Sequence, residues 1–303
     1  MRCVSYAWLA LAPASFPYVD AFWPLQPAAN SWEGGTNESI GAGDVQQSQA
    51  TGSATTGRNL LYIISDDLRS ELGRVHQAPS FQKLVSKSMM FDRAYVQQAV
   101  CNPSRQSFLT ARRPDTTQVW NMKAHVRDLF PNAVSLPGAF KNAGFETCGV
   151  GKVFHHSEGS GNDWSCADWY DPKKLGAAMI ADLSDNSYED GMAMDRTLEK
   201  LSEFALKGKP FMWTVGLRKP HLAWFYPQRF LDLNTGEPAP DPEPPMNACN
   251  YSLYECTERV RGIPHHTPYS PLPAATQAKY RKQYRGAVTW MSYVVGRIVD
   301  HLD

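Results

Sequence analysis

The chain has 303 residues with 30 Lys and Arg against 30 Asp and Glu, so its formal net charge is zero and no global field draws it to nucleic acid or an acidic membrane. With 43% hydrophobic residues it can bury one sizeable core or two smaller ones. Six cysteines in a chain this long exclude a disulfide scaffold, and any anion binding must come from local clusters of charge.

The first residues, MRCVSYAWLALAPAS, place one arginine before a short apolar run and small residues. That is the shape of a secretory signal peptide over residues 1–20, too short for a membrane span. The sequons Asn37-Glu38-Ser39 and Asn250-Tyr251-Ser252 agree with a secretory route, secreted or lysosomal. Residues 21–58, rich from Ser31 onward in Gly, Ser, Thr, Ala and Gln, read as a disordered linker. Folded structure is expected from residue 59.

Asn59-Leu60-Leu61-Tyr62-Ile63-Ile64-Ser65 is a continuous apolar run, the mark of a strand buried on both faces, and it ends on Asp66-Asp67. After Pro79, the spacing of Phe81, Leu84, Val85 and Met89 predicts a helix. The next segment, VCNPSRQSFLTARRP over residues 100–114, predicts another that begins around Pro103 and closes before Pro114. Cys101 then sits at a helix N-terminus, where the macrodipole would lower a thiol's pKa or hold an anion, with the forked cation of Arg105 one turn inside. A buried cysteine beside a surface helix fits the same window. A tyrosine-phosphatase loop does not, because it needs five residues between cysteine and arginine and here there are three.

Helix is predicted over Leu136 to Ala143, closed by Gly144, and a second buried strand over Phe145 to Val150, ending at Gly151-Lys152. A helix over Met192 to Leu206 precedes a third strand, Pro210 to Gly216, which runs out into Arg218-Lys219-Pro220-His221. Prolines are dense from Asp232 to Pro273, and helical spacing returns from Tyr280 to Leu302. Cys148 reads as plain core, Cys166 as free or paired, and Cys249 with Cys256 as a bridge if the compartment is oxidising. Cys3 would leave with the signal.

This alternation predicts an α/β fold with a mostly parallel sheet flanked by helices, whose functional groups gather beyond the carboxyl ends of the strands. Three strand ends carry such groups: Asp66 and Asp67; Lys152 with His155 and His156; and Lys219 with His221. Paired aspartates leaving a buried strand suit a hard divalent cation, although exposed carboxylates in a turn would explain the pair alone. They would not explain Arg105, Lys152 and the histidines. Carboxylates holding a cation inside a cationic ring describe a site for a sulfate or phosphate ester.

Cys101-Asn102-Pro103-Ser104-Arg105 matches the C-x-P-S-R signature of the formylglycine-dependent sulfatases, which the chain resembles over residues 59–303. Asp66-Asp67 after an apolar strand matches that family's first metal-binding segment. The run QQAVCNPSRQSFLTARRPDTT (97–117), with GKVFH (151–155) and KPH (219–221), resembles the iduronate 2-sulfatase branch. One departure is Ala111, where the family commonly has glycine.

The resemblance implies an alkaline-phosphatase-like sulfatase fold and removal of sulfate from a sulfated sugar. It implies that Cys101 is converted to formylglycine (3-oxoalanine) by the formylglycine-generating enzyme. The hydrated aldehyde would attack sulfur, and its second hydroxyl would expel sulfate by elimination. Asp66, Asp67 and the modified Cys101 would contact one Ca2+; Arg105 would stabilise the diol; Lys152 and His221 would bind sulfate or assist the leaving group; His155 would orient or deprotonate the diol. In the family a later strand completes the metal site, so residues 59–303 are expected to be the N-terminal portion of the catalytic domain. Two alternatives stand beside this reading: a non-catalytic relative that binds sulfated glycans, and a phosphate or phosphonate ester hydrolase of the same superfamily. No nucleic-acid partner and no membrane span are expected.

Overall fold

The computed structural model describes residues 7–10 (backbone only), 59–69, 79–91, 93–155, 161–166, 180–235 and 273–302. The linker, both sequons, His156, Cys249, Cys256 and most of the proline-rich stretch lie outside these residues, as does most of the expected signal.

Strand β1 (Ala7–Ala10) pairs antiparallel with β2 (Leu60–Asp66). β2 is buried along its whole length, and its pleat sends Leu61 and Ile63 into one core and Leu60, Tyr62 and Ile64 into another. A strand covered on both faces needs no polar alternation, which is why the run is apolar throughout. β3 (Glu146–Gly151) and β5 (Phe211–Pro220) complete a sheet of order β1-β2-β5-β3, with β5 parallel to both neighbours. A short parallel pair, β4 (Ile180–Ala181) and β6 (Tyr226–Pro227), lies apart from it.

Two helices cover one face. Met194, Leu201 and Phe204 of α6 (Glu189–Lys207) share the larger core with Trp290, Met291, Val294 and Ile298 of α8 (Ala274–Asp300), against Trp213 and Val215 of β5. On the other face Leu109 of α2 (Cys101–Thr110) joins Tyr62, Ile64 and Met212, with Leu136 and Phe140 of α5 (Leu136–Asn142) packed alongside. The result is the expected α/β fold, a largely parallel sheet between helices. Short helices α1 (Pro79–Ser86), α3 (Pro114–Thr117), α4 (Val126–Leu129) and α7 (Gln228–Asp232) fill the connections.

Several boundaries depart from expectation. α1 stops at Ser86, so Met89, expected on its apolar face, is 78% exposed. α6 starts three residues early because Glu189 and Asp190 occupy its first turn, where carboxylates meet the positive end of the helix dipole. It ends at Gly208, whose φ of 63° glycine takes without penalty. α8 begins at Ala274, ahead of the apolar spacing that signalled it. Cys148, read as plain core, is instead disulfide-bonded to Cys166, 18 residues on, tying β3 to the loop that follows it. Among the described residues, no helix is long and apolar enough to cross a membrane.

Candidate active site

The carboxyl ends of β2, β5 and β3 and the N-terminus of α2 meet at one place. β3 and β5 approach so closely there that a Cβ on Gly216 would lie 2.0 Å from the Lys152 backbone carbon, and one on Gly151 2.2 Å from the Gly216 oxygen. Only glycine permits this contact, and the Lys152 N–H donates to the Gly216 carbonyl at 2.7 Å across it. Lys152 is thereby set beside the end of β2, and its ammonium pairs with Asp66 Oδ2.

Arg105, one turn into α2, is fully buried. Its Nη2 donates to Asp66 Oδ1 at 3.0 Å, and its Nη1 donates to the Lys152 and Val153 carbonyls, the latter at 2.9 Å. The guanidinium therefore ties three elements with one planar fork. Asn102 fixes the start of α2 from the other side, donating to the carbonyls of Asn121 at 2.8 Å and Ala124 at 2.7 Å. The helix ends on Ala111 at φ 54°, the left-handed region glycine takes freely.

Burial is the largest single influence on Asp66 and would raise its pKa, but Arg105, Lys152 and His221 together outweigh it and hold the carboxyl far below the usual range. It is an anion at any physiological pH. Cys101 behaves oppositely. Its Sγ lies 3.5 Å from Asp66 Oδ1 and 3.9 Å from Asp67 Oδ1, and burial followed by the Asp66 charge pushes the thiol up to about 12. The lowered thiol pKa expected at the helix N-terminus is thus overturned, because burial and two carboxylates outweigh the dipole.

His221 is lowered to about 4, chiefly by burial, with Lys152 and Lys219 adding to the effect and Asp66 opposing it. It is neutral at pH 7, so its approach to Asp66 and Asp67, at 3.8 and 3.6 Å, is no ion pair. Its Nδ1 abuts the Leu222 carbonyl, which can only accept, so Nδ1 carries the proton and Nε2 turns a lone pair toward the two carboxylates. Two carboxylates and an imidazole nitrogen gathered at one point can hold a cation. One ligand atom from each of Asp66, Asp67, Cys101 and His221 lies within 4.8 Å of the others, and the two carboxylates among them suit a hard divalent ion.

Asp66, Asp67, Cys101, Arg105, Lys152 and His221, all candidates from sequence, are therefore brought together. His155 is half-buried in the turn after β3 and stands outside the group of four. Lys219 turns away: its Nζ donates to the carbonyls of His221 at 2.8 Å and Ala223 at 2.7 Å, and burial lowers it to about 8 against the opposing charges of Asp190 and Glu189. Asp190 went unrecognised in the sequence. It is buried at the start of α6, and its carboxylate accepts from the Arg218 and Lys219 amides at 2.7 and 2.8 Å, fixing the exit of β5 toward His221. The only signal was an acid in a helix's first turn, which by itself means little.

A family profile described as Sulfatase matches residues 58–303. Human iduronate 2-sulfatase is 33% identical over 288 residues, which cover 83% of this chain and 52% of the human one. A sulfatase of Formosa agariphila is 23% identical over 292 residues, covering 80% and 55%. The chain thus spans about half the length of these relatives. Among solved structures, the phosphonate monoester hydrolases of Silicibacter pomeroyi and Agrobacterium radiobacter superpose with TM-scores of 0.57 and 0.55 at 19% and 14% identity, each over 80% of this chain and 58% of theirs. They share the fold. With the profile spanning the whole of the described core, the chain belongs to the sulfatase family.

Proposed function

We propose that this protein hydrolyses the sulfate ester of a sulfated sugar, in the manner of iduronate 2-sulfatase, with Cys101 converted to formylglycine and one Ca2+ held by Asp66, Asp67 and position 101. The observation that carries the reading is the meeting of two aspartates, Cys101 and the lone pair of His221 within 4.8 Å, beside the cations of Arg105 and Lys152.

When bound, Ca2+ would polarise the ester oxygens as a Lewis acid. Formylglycine would supply, as its hydrate, the attacking oxygen that the cysteine cannot. Burial and the Asp66 charge push the Cys101 thiol up to about 12, so the unmodified side chain offers little thiolate at pH 7. Arg105 keeps Asp66 ionised and aimed, and Lys152 brings a cation and protons to the place where negative charge would develop on sulfate and on the leaving oxygen. His221 offers a neutral imidazole beside Asp66 and Asp67. His155 stays in this reading as a group that orients the nucleophile.

The proposed setting is the secretory pathway. The apolar N-terminus supports it, as does the Cys148–Cys166 disulfide, a bond that persists in oxidising compartments. The sulfated saccharide is the proposed substrate and the formylglycine-generating enzyme the proposed modifier.

The test is mass spectrometry of the tryptic peptide that ends at Arg105, from protein made in a host containing that modifying enzyme, paired with hydrolysis of aryl sulfate and aryl phosphate esters. An aldehyde or its hydrate at position 101, with sulfate turnover abolished by EDTA and by Cys101→Ala, is the expected result. An intact thiol, or turnover that survives Cys101→Ala, would overturn it. Preference for the phosphate ester would move the protein to the phosphoester branch of the superfamily.

A further inference from the structure

Asp67 has φ 60°, a left-handed backbone that a non-glycine residue adopts where its surroundings impose it. What imposes it comes from far along the chain. The hydroxyl of Tyr284, in α8, donates to the Asp67 carbonyl at 3.1 Å and accepts from the Arg69 amide at 2.9 Å. Between those two residues Leu68 is 1% exposed and sits in the larger core, against which the Tyr284 ring also packs. The three residues leaving β2 are thus held at both backbone ends by one hydroxyl and in the middle by a buried side chain.

We propose that Tyr284 is a positioning residue for the cation site: by bracketing residues 67–69 it locks the Asp67 backbone, and so keeps the Asp67 carboxylate beside Cys101 and His221. The Asp67 oxygens stand 3.9 Å from Cys101 Sγ and 3.6 Å from His221 Nε2, separations that a turn of the Asp67 backbone would undo. Tyr284 touches no reacting atom. It acts through the conformation of a ligand, and α8, otherwise a packing helix, becomes part of the site's support. The inference rests on reading the site as a cation centre.

The experiment compares Tyr284→Phe, which removes the hydroxyl and keeps the ring, with Tyr293→Phe. The Tyr293 hydroxyl accepts from Arg297 at 3.0 Å on the same helix. Two quantities are read on the full chain. Amide hydrogen exchange in EDTA should quicken about tenfold at Arg69 in Tyr284→Phe and not in Tyr293→Phe. Calcium titrated calorimetrically into the protein should bind about tenfold more weakly to Tyr284→Phe alone. Unchanged exchange at Arg69 would overturn the bracket. Faster exchange with unchanged calcium affinity would overturn the positioning role. If the unsubstituted protein binds no calcium while the exchange difference persists, the cation-centre reading falls and takes the positioning role with it.

Discussion

Replacing Arg105 with alanine is the most severe test of how the site is built. Arg105 and Asp66 are both fully buried, and the guanidinium serves Asp66, Lys152 and Val153 at once. Removing one partner of a buried pair typically costs about 3–5 kcal/mol, because the remaining charge loses its compensation without regaining water. Here Lys152 still neutralises part of Asp66, which pulls the electrostatic loss toward the lower end. The two carbonyls that lose a donor add about 1 kcal/mol each. The expected total is about 5 kcal/mol, a large share of the roughly 5–15 kcal/mol that holds a domain folded.

The stranded carboxylate has a second consequence. If stranded charge is the main cost, Asp66→Asn in the Arg105→Ala background should recover about 2 kcal/mol, although Asp66→Asn alone destabilises the protein. Guanidinium unfolding of the four proteins, followed by tryptophan fluorescence in EDTA, measures each term. A loss below about 1 kcal/mol for Arg105→Ala, or no recovery in the double variant, would refute the account of Asp66 as a carboxylate kept ionised by its cations.

Ala111→Gly should stabilise the protein by about 1 kcal/mol, because relief of the left-handed alanine exceeds the entropy glycine adds to the unfolded chain; a fall in denaturation midpoint would show that the C-cap does not strain the alanine. In metal-free protein, stability should rise with pH through the window between the His221 value of about 4 and the ordinary 6.5. The unfolded chain binds a proton there that the native imidazole refuses, so the contribution is complete above pH 6.5 and lost as pH falls toward 4. It amounts to about 3 kcal/mol at most, and His221→Gln should remove it from the stability–pH profile; an unchanged profile would mean that His221 is not desolvated.

The sheet was legible because burial on both faces removes any need for polar residues: β2 is apolar through Ile64, and the first part of β5 is interrupted by Thr214 alone. β5 continues beyond Gly216 through Arg218, Lys219 and Pro220, where polarity argued for a loop. Asp190, distant in sequence, supplies the acceptors that two backbone amides need there. The six site residues that meet were visible as strand-end charges and one motif. Their protonation was not, since the Cys101 pKa depends on burial and on Asp66, 35 residues away, rather than on its own helix. The Cys148–Cys166 pairing and the Tyr284 bracket join separate segments, one by a covalent bond and the other by hydrogen bonds, and leave no local pattern.

The order of strands in the sheet also sets an order in time. β2 and β3 are made first, yet neither neighbours the other; β5, whose synthesis ends at Pro220, is the strand that lies between them. Until it arrives, Asp66 and Lys152 have no common frame, and His221 is absent from the neighbourhood of Cys101. In the finished structure Cys101, Asn102, Pro103, Ser104 and Arg105 are all buried, so no other protein can grip that stretch from outside. Any enzyme that reads the motif must therefore reach it before the chain has folded around it.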